Sequence, residues 1–335
     1  MKLLRKILFP FSILYGGVTA LRNICYNRGW LKSKSYPFPV ICVGNLTTGG
    51  TGKTPMIEFL IMLLKGDYNV AVLSRGYKRN TKGYVEVLTT STVQETGDEP
   101  LQFKQKFPDV AVAVCENRQV GVEKLAPIAD IVLLDDAFQH RKVKASFNIL
   151  LTQYNQLYTD DYMLPTGNLR EPRSGAKRAN IVVVTKCPET LNTSRITEIT
   201  KKLNLNPNQE LYFSKIGYAA TIKNKTETHP LQFLADKNFT LVTGIAKPEQ
   251  LVEYLKNRNF NFRHKSFPDH HNFSISEIEE LTKHLLILTT EKDFMRLQQL
   301  MDTTNLYYLP ISTVFLDATA VQFKERIVNS LNTLK

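Results

Sequence analysis

Paired cysteines are missing from this chain of 335 residues. Its four cysteines, Cys25, Cys42, Cys115 and Cys187, lie far apart, with no C-x-x-C pair and no zinc-ligand spacing. That excludes a disulfide-stapled scaffold and a cysteine metal centre. Cys42 and Cys115 sit inside apolar runs and read as buried thiols of a reducing compartment. Acidic charge is also short. Against 43 Lys+Arg stand 31 Asp+Glu, leaving a net charge of +12. Such a balance favours anionic partners, whether nucleotide, phospholipid headgroup or nucleic acid. Nucleic acid lacks the support of a basic stripe interleaved with aromatics. Nothing in the sequence points to an obligate protein partner. Internal repeats and low-complexity segments are absent too, so solenoid and disordered architectures drop out.

A membrane-spanning run is missing as well. Lys2, Arg5 and Lys6 precede the apolar stretch Leu8–Leu21, which ends like a signal peptide with Val18-x-Ala20. At under about 17 residues before Arg22 it is too short to cross a bilayer comfortably. A secreted protein would also have little use for the glycine-rich loop that begins at Gly44. Residues 1–30 are therefore expected to form a helix in the membrane interface. Lys2, Arg5, Lys6, Arg22 and Arg28 would meet anionic lipid, with Phe9, Phe11 and Trp30 at headgroup depth. The alternative is a helix packed on its own domain.

What is present is dominated by ICVGNLTTGGTGKTP, residues 41–55. Ile41 to Val43 read as the end of a buried strand, and Pro55 opens a helical pattern. Between them Thr47, Gly49, Gly50, Thr51, Gly52, Lys53 and Thr54 form a phosphate-binding loop in its required strand–loop–helix setting. Backbone N–H groups and the helix N-terminus attract phosphate. Lys53 can reach the β- and γ-phosphates, and the Thr54 hydroxyl can ligate Mg²⁺. The usual pattern has a glycine five residues before Gly52, where this chain has Thr47.

Ile131–Leu134 is an apolar strand ending in Asp135 and Asp136, as a Mg²⁺-holding strand tip of a nucleotide-hydrolysing fold does. Thr96-Gly97-Asp98-Glu99-Pro100 offers a base to a sugar hydroxyl, either Asp98 or Glu99, or else a helix with an acidic first turn. In the charged loop Leu164–Arg173, Arg170 can stabilise transferring phosphoryl charge and Glu171 can ligate or orient Mg²⁺. The segment Phe267–Phe273 brings Asp269, His270 and His271 together without metal-ligand spacing, so a histidine supporting a base in a facing domain is plausible.

Strand-like runs at 40–43, 70–73, 110–114, 131–134, 147–151 and 181–185 alternate with helical patterns such as Pro55–Lys65 and Asn117–Ala126. That implies a mostly parallel, helix-covered sheet with ligands at the strand carboxyl ends. The length favours two domains. The expected organisation is a membrane-interfacial helix over 1–30 and a P-loop NTPase-like α/β domain over 31–210. An extended linker over 211–225 then leads to a second, smaller α/β domain over 226–335 across a cleft.

Taken together, VGNLTTGGTGKTP, LSRGYKR, TGDEP, DDAFQH, LPTGNLREP, FPDHHNF and TTEKD resemble the tetraacyldisaccharide 4'-kinase family of lipid A biosynthesis. The N-terminal FSILYGGVTALRNICY resembles that family's membrane-proximal helix, and the family shares the Thr47 departure. The resemblance implies an ATP- and Mg²⁺-dependent kinase acting on the 4'-hydroxyl of a multiply acylated glucosamine disaccharide 1-phosphate, the lipid A precursor. It would work as a peripheral protein at the cytoplasmic face of the bacterial inner membrane. It implies Lys53 and Thr54 as the nucleotide-loop pair and Asp135 and Asp136 as metal carboxylates. Arg170 and Glu171 become the phosphoryl-stabilising pair, Asp98 and His270 a catalytic dyad. His270 is preferred to His271 by motif order. Arg75, Tyr77, Arg118 and His140 fall where substrate or phosphate contacts are expected. Two competitors remain: another phosphate-loop small-molecule kinase, and a membrane-bound nucleotide switch with no need of an acid–histidine pair.

Overall fold

In the computed structural model, Arg5 and residues 7–332 are described. Lys2 and Lys6, expected among the basic lipid contacts, lie outside the described residues. The chain opens with helix α1 (Phe9–Asn27), which carries Pro10 in its first turn, where a missing N–H has no intrahelical partner to lose. Strand β1 (Val40–Asn45) runs into the glycine loop and α2 (Lys53–Leu64). Then come β2 (Val70–Ser74), β3 (Val85–Glu86), the single turn α3 (Val93–Thr96) and α4 (Asp98–Lys106). They are followed by β4 (Ala111–Val114), α5 (Arg118–Leu125), β5 (Ile131–Asp135), β6 (Phe147–Gln153), β7 (Ile181–Thr185), α6 (Thr193–Leu203) and β8 (Glu210–Tyr218).

The strands from β1 to β8, joined by the late strand β15 (Ile311–Phe315), build a sheet in the order β15-β8-β7-β6-β1-β5-β2-β4-β3. From β8 across to β4 every pairing is parallel. Strands β1, β2, β5 and β7 are buried along their whole length, which is why they read as unbroken apolar runs rather than alternations. Within β1, Ile41 and Val43 pack with Met56, Leu60 and Leu64 of α2, while Val40 and Cys42 pack with Val122 of α5 and Ile199 of α6. Successive residues thus feed two opposite cores. Strand order reverses at β1, so the loop after it occupies the switch point where such sheets bind ligands. All four thiols are free, and burial pushes Cys42 and Cys187 up to about 12.

A second sheet is made from β9 (Thr221–Lys223), β10 (Thr228–Pro230), β11 (Phe239–Thr243), β12 (Phe262–Ser266), β13 (Ile287–Thr290) and β14 (Leu306–Leu309). Its order is β10-β9-β14-β13-β11-β12, and helices α7 (Glu249–Lys256), α8 (Ile275–Leu281) and α9 (Glu291–Leu297) connect its strands. It has its own core around Leu241, Leu255 and Leu288.

The expected linker over 211–225 needs correction. Glu210–Tyr218 is a strand of the first sheet, parallel to β7, and only Thr221–Lys223 belongs to the second. The expected second domain over 226–335 is also too long. After Pro310 the chain returns as β15 (Ile311–Phe315), antiparallel to β8, and α10 (Ala320–Asn332). Phe315 and Phe323 meet Phe59 of α2 at 5.2 and 5.8 Å between ring centroids, and Arg326 pairs with Glu210 at 2.6 Å. The final segment therefore completes the first core by aromatic packing, a long-range pairing that local patterns do not encode.

Candidate active site

The loop after β1 turns on two glycines with positive φ, Gly49 at 106° and Gly52 at 86°. A side chain at either would be strained, so the turn that aims backbone N–H groups inward depends on them. Loop carbonyls are tied down from neighbouring strands: Thr185 Oγ1 donates to Thr51 O at 2.8 Å, and Gln153 Nε2 donates to Gly50 O at 3.1 Å. Asn45 Nδ2 donates to Thr51 Oγ1 at 2.9 Å. Lys53 and Thr54 open α2 and are partly exposed at the loop mouth. Thr47 pairs with Leu169, and Thr48 N donates to Asn168 O at 2.8 Å, which binds the phosphate loop to the Leu164–Arg173 loop.

At the tip of β5 the two carboxylates differ sharply. Asp135 is buried and receives Ser74 Oγ at 3.0 Å; burial and the adjacent Asp136 push it up to about 6. Burial works on Asp136 in the same direction, but Lys53 and Arg170 hold it down at about 2. Lys53 Nζ lies 3.7 Å from Asp136 and Arg170 binds it at 2.7 Å. Arg170 also donates to Asn45 O at 3.1 Å and to the Asn45 side chain. The lysine, the aspartate and the arginine expected at the phosphates are thus one cluster.

Glu171, expected to ligate or orient Mg²⁺, has its oxygens engaged by protein donors. It is buried, and its oxygens accept from Arg178 at 2.8 and 2.9 Å, Asn23 Nδ2 at 2.8 Å and Gln139 Nε2 at 2.9 Å. With three donors in place, it is the hub that ties α1 and the strand-tip loop to Arg170. Of the expected substrate contacts, Arg75 is exposed just past β2. Arg118 is buried, with Nη1 donating to Cys115 O at 2.7 Å and Nε lacking a partner. His140 Nε2 is likewise buried and unpartnered. Burial and the charges of Arg118, Lys142, Arg22 and Arg75 hold His140 down at about 4, a neutral imidazole among cations. Tyr77 stands edge-on to the His270 ring at 5.1 Å.

Gly97, with φ 89°, kinks the chain between α3 and α4 and sets Asp98 and Glu99 in the first turn of α4. Asp98 is buried, and its Oδ2 lies 2.8 Å from His270 Nδ1. Glu99 is close enough to the strand tip for its charge to raise Asp135. Two residues that motif reading left without a role complete the arrangement. From α9, Arg296 Nε donates to Asp98 Oδ1 at 2.8 Å and its Nη2 to Oδ2. Lys292 Nζ reaches His270 Nε2 at 2.8 Å and Glu99 at 2.9 Å. The signal for Lys292 was its place in the TTEKD motif; Arg296 follows four residues later on the same helical face. Burial alone would raise Asp98, but His270 and Arg296 hold it at about 2. Asp293 anchors the histidine loop by accepting from Gly244 N at 2.8 Å, and His270 N donates to Gly244 O at 3.2 Å. His271 faces elsewhere, with Nε2 3.0 Å from Glu277. Asp136, Lys186 and His270 all adopt left-handed backbone, with φ of 46°, 58° and 56°. Such strain in non-glycine residues gathers at functional sites.

A glycine loop at the sheet's switch point, a strand-tip carboxylate pair and a lysine–arginine cluster define a phosphate-loop nucleotide-binding protein. The comparisons narrow this class. The family profile described as Tetraacyldisaccharide-1-P 4'-kinase matches residues 4–332. A Tetraacyldisaccharide 4'-kinase of Flavobacterium johnsoniae is 52% identical over 323 residues, 95% of this chain and 94% of that protein. One from Bacteroides thetaiotaomicron is 44% identical over 354 residues, 97% of this chain and 93% of that protein. The crystal structure of LpxK from Aquifex aeolicus, described as an "apo" form in complex with ATP, aligns with TM-score 0.78 at 31% identity. It covers 98% of this chain and 99% of that one. The chain belongs to the tetraacyldisaccharide 4'-kinase family, whose chemistry is ATP-dependent phosphate transfer to a hydroxyl.

Proposed function

We propose that this chain transfers the γ-phosphate of ATP to the 4'-hydroxyl of a tetraacyl glucosamine disaccharide 1-phosphate, working at an anionic membrane surface. The observation that carries the reading is the pairing of Asp98 with His270 at 2.8 Å, across the two sheets, beside the Asp135–Asp136 strand tip. The loop amides and Lys53 hold the β- and γ-phosphates. Arg170, already gathered with Lys53 around Asp136, meets charge that develops on the transferring group. Asp98, oriented by His270, lies where an acceptor hydroxyl can approach the loop from the cleft. Of the expected substrate contacts, Tyr77 lines a cavity with Asp98 and His270, whereas His140 lines a different one with Tyr26, Phe138 and Arg178. The buried, unpartnered nitrogens of Arg118 and His140 await a polar substrate group.

The residues present fit Mg²⁺. Thr54, Asp135 and Asp136 offer hard oxygen donors, and Asp135 is a buried carboxylate with too little positive charge nearby to stay ionised comfortably. Bound there, the ion would neutralise phosphate charge. Glu171 holds the Arg170 loop in place from behind.

Helix α1 supports the membrane side of the proposal by its inverted polarity. Ser12, Thr19 and Asn23 are buried against the protein, while Phe11, Leu14, Val18 and Leu21 are about 60% exposed or more, at 63%, 68%, 61% and 59%. The polar face is bonded down: Ser12 Oγ to Thr166 Oγ1 at 2.7 Å, Tyr15 Oη to Arg170 O at 2.9 Å. An apolar stripe turned outward, with Arg22 and Arg28 nearby, suits the headgroup boundary. Among the described residues no helix is long and apolar enough to cross a membrane.

The test is transfer of label from γ-labelled ATP to the lipid disaccharide 1-phosphate in detergent or vesicles, with the position mapped. The expected result is label on the 4'-position, lost on the order of 10²-fold or more in Lys53→Ala. Label appearing only as inorganic phosphate would turn the reading to a nucleotide switch.

A further inference from the structure

We propose that Lys292 is a positioning residue that fixes the tautomer of His270, and through it the orientation of the Asp98–His270 pair. The proposal rests on assigning that pair to the acceptor hydroxyl. Lys292 Nζ lies 2.8 Å from His270 Nε2, 2.9 Å from Glu99 Oε1 and 3.6 Å from Asp269 Oδ1. Burial opposes its charge, but Glu99 and Asp269 outweigh burial and raise its pKa, so it stays an ammonium. An ammonium donates and has no lone pair to offer. Nε2 must therefore accept, which leaves the single proton of a neutral imidazole on Nδ1. From there it is donated to Asp98 Oδ2 at 2.8 Å.

The same helix sets the other side of the pair. Arg296, one turn after Lys292, donates to both oxygens of Asp98 and fixes the plane of the carboxylate. Asp98, Glu99 and His270 place ligand atoms within 4.8 Å of one another, the outline of a cation site. Lys292 supplies the cation. The charged groups facing His270 are Asp98 and Glu99 from α4, Asp269 on its own loop, and Lys292 and Arg296 from α9. Lys78 donates to its backbone carbonyl at 3.3 Å. Without Lys292 nothing on that list donates to Nε2, and the imidazole is free to move its proton there. Nδ1 would then be an acceptor with Arg296 Nη2, 3.0 Å away, as its donor, and the pair would lose its bond to the Asp98 carboxylate.

Nitrogen-15 histidine spectroscopy on the full chain reads the tautomer directly, with His270→Gln assigning the signals. The wild type should show a protonated Nδ1 and an accepting Nε2. Lys292→Met should move His270 towards the other tautomer and lower kcat at least about 10-fold, within the roughly 10²–10⁴-fold that an acid–base group contributes. KM for ATP should stay unchanged. Lys292→Arg, which keeps a donor, should restore the wild-type tautomer and part of kcat. An unchanged tautomer in a folded Lys292→Met, or a wild type protonated on Nε2, would overturn the proposal. A shifted tautomer with unchanged kcat would uphold the role of Lys292 and overturn the catalytic reading of the pair.

Discussion

Asp98 and His270 are 172 positions apart in sequence and 2.8 Å apart in space. Between the two neighbouring histidines the geometry chooses. His270 meets Asp98, whereas His271 bonds Glu277, which is itself engaged in the Ser274 capping box of α8. With the proposed acid–base pair broken, His270→Ala should lower kcat by about 10²-fold or more. His271→Ala should leave kcat within a few-fold and cost only local stability. Steady-state kinetics at saturating ATP separates the two. The motif order F-x-D-H named the same histidine, but Lys292 and Arg296 were invisible as partners. Which side of a helix faces a distant loop is set by tertiary packing, and no spacing within TTEKD records it.

The elements were largely legible, because buried parallel strands announce themselves as apolar runs and α2 follows its glycine turn. What misled was β8. Its half-buried alternation over Glu210–Tyr218 resembles any extended segment, and its neighbours β7 and β15 lie about 30 and 100 residues away in the chain. Helix α1 was legible as an apolar, basic-flanked helix, but its inward face could be read only from the structure. That face matters for experiment. Removing residues 1–28 would also remove the bonds from Ser12, Tyr15 and Asn23 to the loop that carries Arg170 and Glu171. Substituting the outward residues is cleaner. Changing Phe11, Leu14, Val18 and Leu21 together to Ser should weaken partitioning onto anionic vesicles by about 100-fold or more, at roughly 1.5–3 kcal/mol per fully buried side chain. Affinity for ATP should be retained. Equal vesicle binding by the variant and the wild type, measured by flotation at low and moderate salt, would remove the membrane role of α1.

At the scale of the molecule, the two sheets are joined through a buried ionic cluster behind the dyad. Lys106 of α4 binds Glu58 of α2 at 2.7 Å and Glu291 of α9 at 3.1 Å. One cation serves two buried carboxylates, and Gln102 Nε2 donates to Glu58 at 2.7 Å. Burial first, then the charge of Glu291, pushes Glu58 up to about 7 against the pull of Lys106. A raised carboxyl pKa means that the folded state binds more protons than the unfolded state between about pH 4.5 and 7. Stability from this group therefore falls as pH rises through that window. Glu58→Gln should gain thermal stability relative to the wild type at pH 8, and the difference should shrink as pH falls towards 5. Melting curves across that range check it; a difference independent of pH would show that Glu58 is ionised throughout.

The same joining of halves underlies the catalytic account, and a double-variant cycle tests it most directly. The measurement is kcat for Asp98→Ala, His270→Ala and the combined variant at saturating Mg²⁺-ATP and lipid acceptor. A pair acting as one unit predicts similar losses in all three, with ATP affinity preserved. Losses that multiply in the combined variant would contradict it, because the two residues would then act separately on the reaction.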